Sequence, residues 1–150
     1  MESQSEIPLR PIGQVRNQIK EKMRHGWSQV ESVITIDPGL TESLDGLEDF
    51  SHIIVLFWMH ESAGQFPSKV HPQGRSDIPL TGTFATRSPH RPNSIGMSVV
   101  NLLEREGNVL KVSGLDAING TPIIDIKPYL PKDAVPEAQY PEWVSKLDLT

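Results

Sequence analysis

The chain has 150 residues, of which 37% are hydrophobic, with a formal net charge of -5 and no cysteine. That length holds one domain with a real core and is short for two, and the composition is that of a globular chain, not a disordered one. The lack of cysteine excludes disulfides, thiolate zinc sites and cysteine nucleophiles, and the net acidity argues against a protein that coats nucleic acid through a broad basic surface.

From the amino end, "MESQSEIPLR" lacks the basic-then-apolar order of a signal peptide, and no segment reaches the roughly 18 apolar residues of a membrane span. The expected compartment is the cytoplasm, with no membrane partner. "IPLRPIGQVR" (7–16) is apolar with Gly and Pro interruptions, and "VESVITI" (30–36) alternates as a strand does. In "DPGLTESLDGLEDF" (37–50), Leu40, Leu44 and Leu47 recur at spacings of four and three, which predicts a helix that Thr41 can cap. "SHIIVLFWM" (51–59) is apolar at both parities and is expected to be buried on both faces. "ESAGQFPSKVHPQGRSDIP" (61–79) predicts a long loop, and such a loop in a compact domain is usually functional or disordered.

Further strands are expected in "LTGTFAT" (80–86), "IGMSVVNLLERE" (95–106), "NVLKVSGLDAI" (108–118) and "TPIIDIKPY" (121–129). "EGN" (106–108) and "NGTP" (119–122) predict hairpin turns, Asn-Gly being the strongest short signal of that kind. The tail "PEAQYPEWVSKL" (136–147) predicts a short helix starting near Pro141. Strands joined by short turns, one or two short helices and a long loop together predict a mainly β fold. The expected architecture is an antiparallel β-barrel, as one domain over residues 1–150.

Several chemistries find no support. No Gly-x-Gly-x-x-Gly follows a strand, there is no P-loop, and Gly-x-Ser-x-Gly is absent. His52 and His60 share strand parity, but a straight strand would hold them roughly 26 Å apart, too far to share a metal ion, so no metal is expected. Glu48-Asp49 reads as the solvated end of a helix.

The unusual stretch is "TFATRSPHRPNSIG" (83–96), inside an acid-free run from Ile78 to Leu103. Its bland reading is a stiff surface loop whose prolines fix φ and whose arginines are solvated. Its functional reading is a loop presenting the Arg87 and Arg91 guanidinium forks and backbone donors to an anion or a planar ring. Asn93 and Ser94 add polar groups, and Gly96 is expected to allow close backbone approach. In "SGLDAINGTPIIDIKPY" (113–129), Asp116, Asp125 and Lys127 sit at the ends of apolar strands, where site residues and ordinary turn residues both occur.

"GTFATRSPHRPNSIGMSVV" followed by "LDAINGTPIIDIKPYLP", with "PIGQVR" and "GLEDFSHIIVLFWMH" upstream, closely resembles the TsaA/TrmO-like family, in order, from about Ile7 to Trp143. The resemblance implies an S-adenosylmethionine-dependent methyltransferase built on a β-barrel. It also implies a homodimer with cofactor sites near the subunit interface. The implied reaction methylates N6 of threonylcarbamoyladenosine (t6A) beside the anticodon of tRNA, giving m6t6A. Carried onto matching positions, the cofactor residues would be His60, Glu61, Arg87, Met97, Gly114, Leu115, Asp116 and Ala117. Arg91, Asn93 and His90 would contact substrate, with Arg91, Pro92 and Asn93 also shaping the pocket. Met23 to His25 correspond to a further cofactor-proximal loop.

No residue stands out as the general base, and His60 and Asp116 are the two candidates. Ser94 replaces the family's commoner proline and is expected to loosen the turn. The chain ends at Thr150 and is read as a short form, without the extra domain of longer bacterial members. Two other readings stay open: a methyltransferase acting on another RNA or a small molecule, and a β-barrel that binds S-adenosylmethionine without catalysis.

Overall fold

The computed structural model describes residues 5–150 other than Arg24, Ala63 and Gln65. Among them are eight strands: β1 (Gly13–Arg16), β2 (Glu31–Ile36), β3 (His52–Trp58), β4 (Lys69–Val70), β5 (Thr81–Gly82), β6 (Ile95–Glu106), β7 (Val109–Ser113) and β8 (Pro122–Pro128). Six of them close into a barrel in the order β1-β2-β7-β6-β3-β8, and β4 pairs with β5 as a separate ribbon. Every pairing is antiparallel. Closure leaves no long unpaired edge within the barrel.

The alternation of apolar and polar residues sets the inside of the barrel. Val15, Ile34, Ile36, Ile53, Val55, Phe57, Val100, Leu102, Leu110, Val112 and Ile123 form one buried cluster. Each such side chain contributes about 1.5–3 kcal/mol on burial. Leu44, from the segment before β3, joins this cluster, as do Leu115 and Ala117 from the segment after β7.

The mainly β barrel expected from the sequence is what the chain forms, and the strand 95–106 matches β6 residue for residue. Several local expectations are corrected. The strand near 7–16 is confined to Gly13–Arg16, and the one expected over 108–118 ends at Ser113. Residues 80–86 form only β5 and a 3₁₀ turn at Thr83–Ala85. β3 is not buried on both faces: Ile53, Val55 and Phe57 are buried, whereas Ile54, Leu56 and Trp58 are half-buried.

Residues 37–50 form two 3₁₀ segments, Pro38–Leu44 and Leu47–Asp49, interrupted at Gly46 in the left-handed conformation. Asp37, not Thr41, caps the first by accepting from the Gly39 N–H at 2.9 Å, while Thr41 Oγ1 donates back to the Pro38 carbonyl at 2.8 Å. "EGN" makes the β6–β7 hairpin, with Glu106 opposite Val109. Asn119-Gly120 does turn the chain, but it makes no hairpin, because β8 pairs with β1 and β3 and not with β7. The Gly120 N–H donates to the Val15 carbonyl at 2.8 Å, so this turn fastens to β1 instead.

The described residues of the 61–79 segment include the 3₁₀ turn Pro72–Gly74 and β4, with Ile78 fully buried. The tail docks on it. Arg75 donates to the Lys146 carbonyl at 2.6 Å, and the Gln73 side chain and Asp148 backbone exchange hydrogen bonds at 2.7 and 3.0 Å. The expected tail helix is a 3₁₀ turn at Glu142–Lys146, directly after Pro141.

Candidate functional site

Antiparallel pairing of β3 with β6 sets Trp58 opposite Ile95, so the end of β3 and the start of β6 lie together. Two sequence-predicted segments meet there: His60 and Glu61, in the 3₁₀ turn His60–Ser62 just after β3, and the 83–94 loop just before β6. The Met59 N–H donates to the Ser94 carbonyl at 2.7 Å and ties one to the other. The third segment, Gly114–Ala117, leaves β7 and runs back along β6. Its side chains alternate, with Leu115 and Ala117 packed into the core and Asp116 between them facing out. Gly114 takes φ 89°, which a side chain rarely adopts, and its N–H reaches the Val30 carbonyl at 3.0 Å.

The two arginines of the 83–94 loop have different environments. Arg91 Nη1 donates to the carbonyls of Thr83, Thr86 and Ser88 at 3.2, 2.9 and 3.1 Å, and its guanidinium lies over the Phe84 ring, 5.8 Å from the centroid. It clamps the loop into shape. Arg87 is exposed and, among the described residues, makes no ion pair. Its charge acts on Asp116, whose carboxyl it favours in the ionised form.

Asp116 reaches the surface, but its carboxyl turns back toward β6, where the Ser98 hydroxyl donates to Oδ1. Burial of the carboxyl pushes its pKa above the usual aspartate value, and the Ser98 hydrogen bond, its own backbone N–H and Arg87 oppose this only in part. The result is a carboxylate more basic than a solvated one, with Oδ2 free of the Ser98 contact. Just beyond β3, His60 Nδ1 is buried with no hydrogen-bond partner among the described residues, and such a group is costly to leave unpaired.

The other expected residues are distributed as follows. His90 and Asn93 are exposed on the loop. Ser94 is buried, and its carbonyl accepts from the Met59 N–H, a bond that a proline here would also make. Gly96 does not open a path for a ligand: an added Cβ would lie 2.3 Å from a Phe57 ring carbon, so the close approach is internal packing. Met97 points outward, on the opposite face of β6 from Ser98, and lies beside Leu56. Lys22 donates to the buried Ser62 hydroxyl next to Glu61, whereas His25 lies 3.8 Å from Asp148 of the tail and Arg24 falls outside the described residues; no contact brings Met23 or His25 to the site among the described residues. His52 begins β3, remote from His60 at the other end, and among the described residues no three acidic or histidine side chains gather as a metal site would need.

Sequence reasoning passed over Ser98 and Asn17. The Asn17 side-chain amide donates to Ser32 Oγ at 2.9 Å and to the Ala117 carbonyl at 2.8 Å, while its Oδ1 accepts from the Ile19 N–H at 2.9 Å. It pins the 114–118 segment to β2. Its only sequence signal was a position one residue beyond "PIGQVR".

The profile described as the tRNA-methyltransferase O N-terminal domain matches residues 17–134. The chain is 45% identical to a probable S-adenosyl-L-methionine-binding protein of Methanothermobacter thermautotrophicus, over 85% of this chain and 93% of that protein. It is 48% identical to a human tRNA (adenine(37)-N6)-methyltransferase over 59% of this chain, a stretch that is 20% of the human protein. The crystal structure of TrmO from Pseudomonas aeruginosa superposes with a TM-score of 0.74 at 35% identity, covering 90% of this chain and 61% of that one. With most of its length matched and the same barrel formed, the chain belongs to the TrmO family, the family of the tRNA-methyltransferase O N-terminal domain.

Proposed function

We propose that this protein is an S-adenosylmethionine-dependent methyltransferase that methylates N6 of t6A next to the anticodon of tRNA, acting in the cytoplasm. The observation that carries the reading is a set of polar groups toward one barrel end: Arg87 and His60 Nδ1, which have no partner among the described residues, and the Asp116 carboxylate, whose burial makes it more basic. They suit a zwitterionic cofactor. Arg87 would hold its carboxylate, Glu61 and Asp116 would face its cationic groups, and His60 Nδ1 and the Gly114–Ala117 backbone would take its remaining hydrogen bonds. When bound, S-adenosylmethionine supplies a methyl group already activated by its sulfonium.

The protein's part is then alignment and proton removal. Holding the reactants in attack geometry lowers the barrier by as much as about 7–11 kcal/mol. Asp116 Oδ2 would accept the N6 proton, a task suited to a carboxylate whose pKa burial has raised. His60 is the other candidate. Arg91, whose Nη1 is bonded to three carbonyls, would shape the loop, while His90 and Asn93 would touch the RNA.

A homodimer is part of the same proposal. On the outside of the barrel, Ile54, Leu56 and Trp58 of β3 lie beside Val99, Met97 and Ile95 of β6, an apolar strip that a second copy would cover. Met97 belongs to that strip, so a pocket including both Met97 and Asp116 would be completed across the interface. Light scattering should give twice the chain mass, and Val99→Asp should halve it.

The reaction itself is tested with labelled S-adenosylmethionine and t6A-bearing tRNA, followed by nucleoside mass spectrometry. Appearance of m6t6A is expected. Transfer only to RNA lacking t6A, or to a small molecule, would move the acceptor, and binding without transfer to any acceptor would make the protein a binder.

A further inference from the structure

Phe84 stands out in an otherwise polar loop as a large apolar residue that is 76% exposed. Leaving a phenylalanine in water forgoes the free energy of burial, and here the ring is also held rigidly. It sits in the Thr83–Ala85 turn, whose flanking Thr83 and Thr86 are buried. The Thr83 N–H and Oγ1 donate to the carbonyls of Ser68 and Pro67 at 3.0 and 2.6 Å, and Thr86 Oγ1 donates to the Thr83 carbonyl at 2.7 Å. Arg91, fixed by its three carbonyls, covers one face of the ring and leaves the other open. A simple core residue or a mobile loop tip would show neither feature.

The surroundings select the chemistry of what lands on that face. The whole run from Ile78 to Leu103 carries no acid, whereas Arg87 and His90 are exposed on the same loop. Lys69 adds an exposed cation on β4, paired with Gly82 of β5 two residues before Phe84. An open aromatic face backed by a guanidinium, with Arg87 on the same loop and Lys69 on the adjoining ribbon, suits an unpaired base on a phosphate backbone, since every base has a stacking face and every linkage an anion. An apolar protein partner would have no use for the uncompensated charge.

We propose that Phe84 is a stacking platform for an unpaired base of the RNA substrate, with Arg91 as its positioning residue and Lys69 meeting an adjacent phosphate. This rests on the RNA-acceptor reading above and names a contact that reading lacked. The base docks beside the candidate site, where it would hold the splayed strand while a neighbouring nucleotide reaches Asp116.

The test uses the full chain with single-stranded oligoadenylate and an abasic sugar-phosphate strand of equal length, binding being followed by fluorescence anisotropy. Phe84→Ala should weaken oligoadenylate binding by about 5- to 150-fold, the range expected for losing one base–aromatic stack. It should leave abasic-strand binding unchanged, and Phe84→Trp should retain or improve oligoadenylate binding. Unchanged S-adenosylmethionine affinity in Phe84→Ala, measured by calorimetry, verifies that the loop remains folded. Equal oligoadenylate affinity in wild type and Phe84→Ala overturns the proposal, as does no oligoadenylate binding by the wild type. A change of oligomeric mass in Phe84→Ala also overturns it, by placing the ring between copies. A wild type that methylates no RNA, yet loses oligoadenylate affinity on Phe84→Ala, would sink the methyltransferase reading and leave the stack standing.

Discussion

The two ends of β6 treat charge in opposite ways. Near Glu106, the Arg105 side chain is only 11% exposed and all its neighbours are partners. Its Nε donates to the Gly107 carbonyl, Nη1 to Glu48, and Nη2 to Asp45 and the Thr41 carbonyl, at 2.9 to 3.1 Å. This pins both 3₁₀ segments, Pro38–Leu44 and Leu47–Asp49, to the Glu106 end of β6. At the Ile95 end, Arg87 is unpaired among the described residues, the Asp116 carboxyl is partly buried with one hydroxyl donor, and His60 Nδ1 has none. One end uses its charges to close the fold. The other keeps them open at a cost in stability, which is the pattern expected where a ligand completes the structure.

That contrast can be broken by substitution. The largest effect is expected for Asp116→Asn. It should lower methyl transfer by about 10²- to 10⁴-fold, the usual worth of a positioned base, without lowering the thermal midpoint near neutral pH. A variant that keeps its rate would remove Asp116 from the chemistry. Next, Arg87→Ala should weaken cofactor binding by about 10- to 150-fold, corresponding to the roughly 1.5–3 kcal/mol of hydrogen bonds to a charged group, and calorimetry reads this directly. Stability should barely move, since the guanidinium makes no hydrogen bond or ion pair among the described residues and acts on Asp116 only through its charge.

At the other end the outcome should invert. Arg105→Gln should lower the thermal midpoint in a melting scan while the cofactor dissociation constant stays where it was. A shared loss of binding would show that the two ends are coupled.

The smallest effect lies in the pH dependence. Arg75 holds the Asp77 carboxyl down to about 2 from 3.8, so its stabilisation is present above 3.8 and lost as the pH falls toward 2. Asp116 has the opposite sign: its folded pKa lies above 3.8, so ionising it costs stability as the pH rises from 3.8 through the folded value. Acid titration of the melting temperature should therefore flatten on the low side in Asp77→Asn, and should lose a decline on the higher side in Asp116→Asn.

What the sequence made legible follows from the range of the interactions. β6 and its "EGN" hairpin are local, set by alternation and a glycine turn at φ 61°, and both were readable. "NGTP" carried a stronger hairpin signal and misled, because the partners of β8 are β1 and β3, chosen by barrel closure over long separations. The 37–50 helix had its leucine spacing, yet Gly46 at φ 93° and the Asp37 cap divide it into 3₁₀ turns. In the site, Arg87 and Asp116 stood out by composition and motif. Ser98 and Asn17 did not, since their roles exist only through partners 18 and 100 positions away. The different duties of Arg87 and Arg91, four residues apart in one loop, were likewise invisible until the carbonyls around Arg91 were in place.

The contact between Gly96 and Phe57 has a consequence for how this barrel can vary. β6 passes the ring at the one residue without a side chain, so sliding the strand by one position would drive Ile95 or Met97 onto it and turn the apolar strip inward and Ser98 outward. Insertions or deletions in the 83–94 loop therefore cannot be absorbed by the strand that follows. The loop that carries Phe84, Arg87 and Arg91 meets β6 at a fixed register, and any change in its length must be taken up within the loop itself.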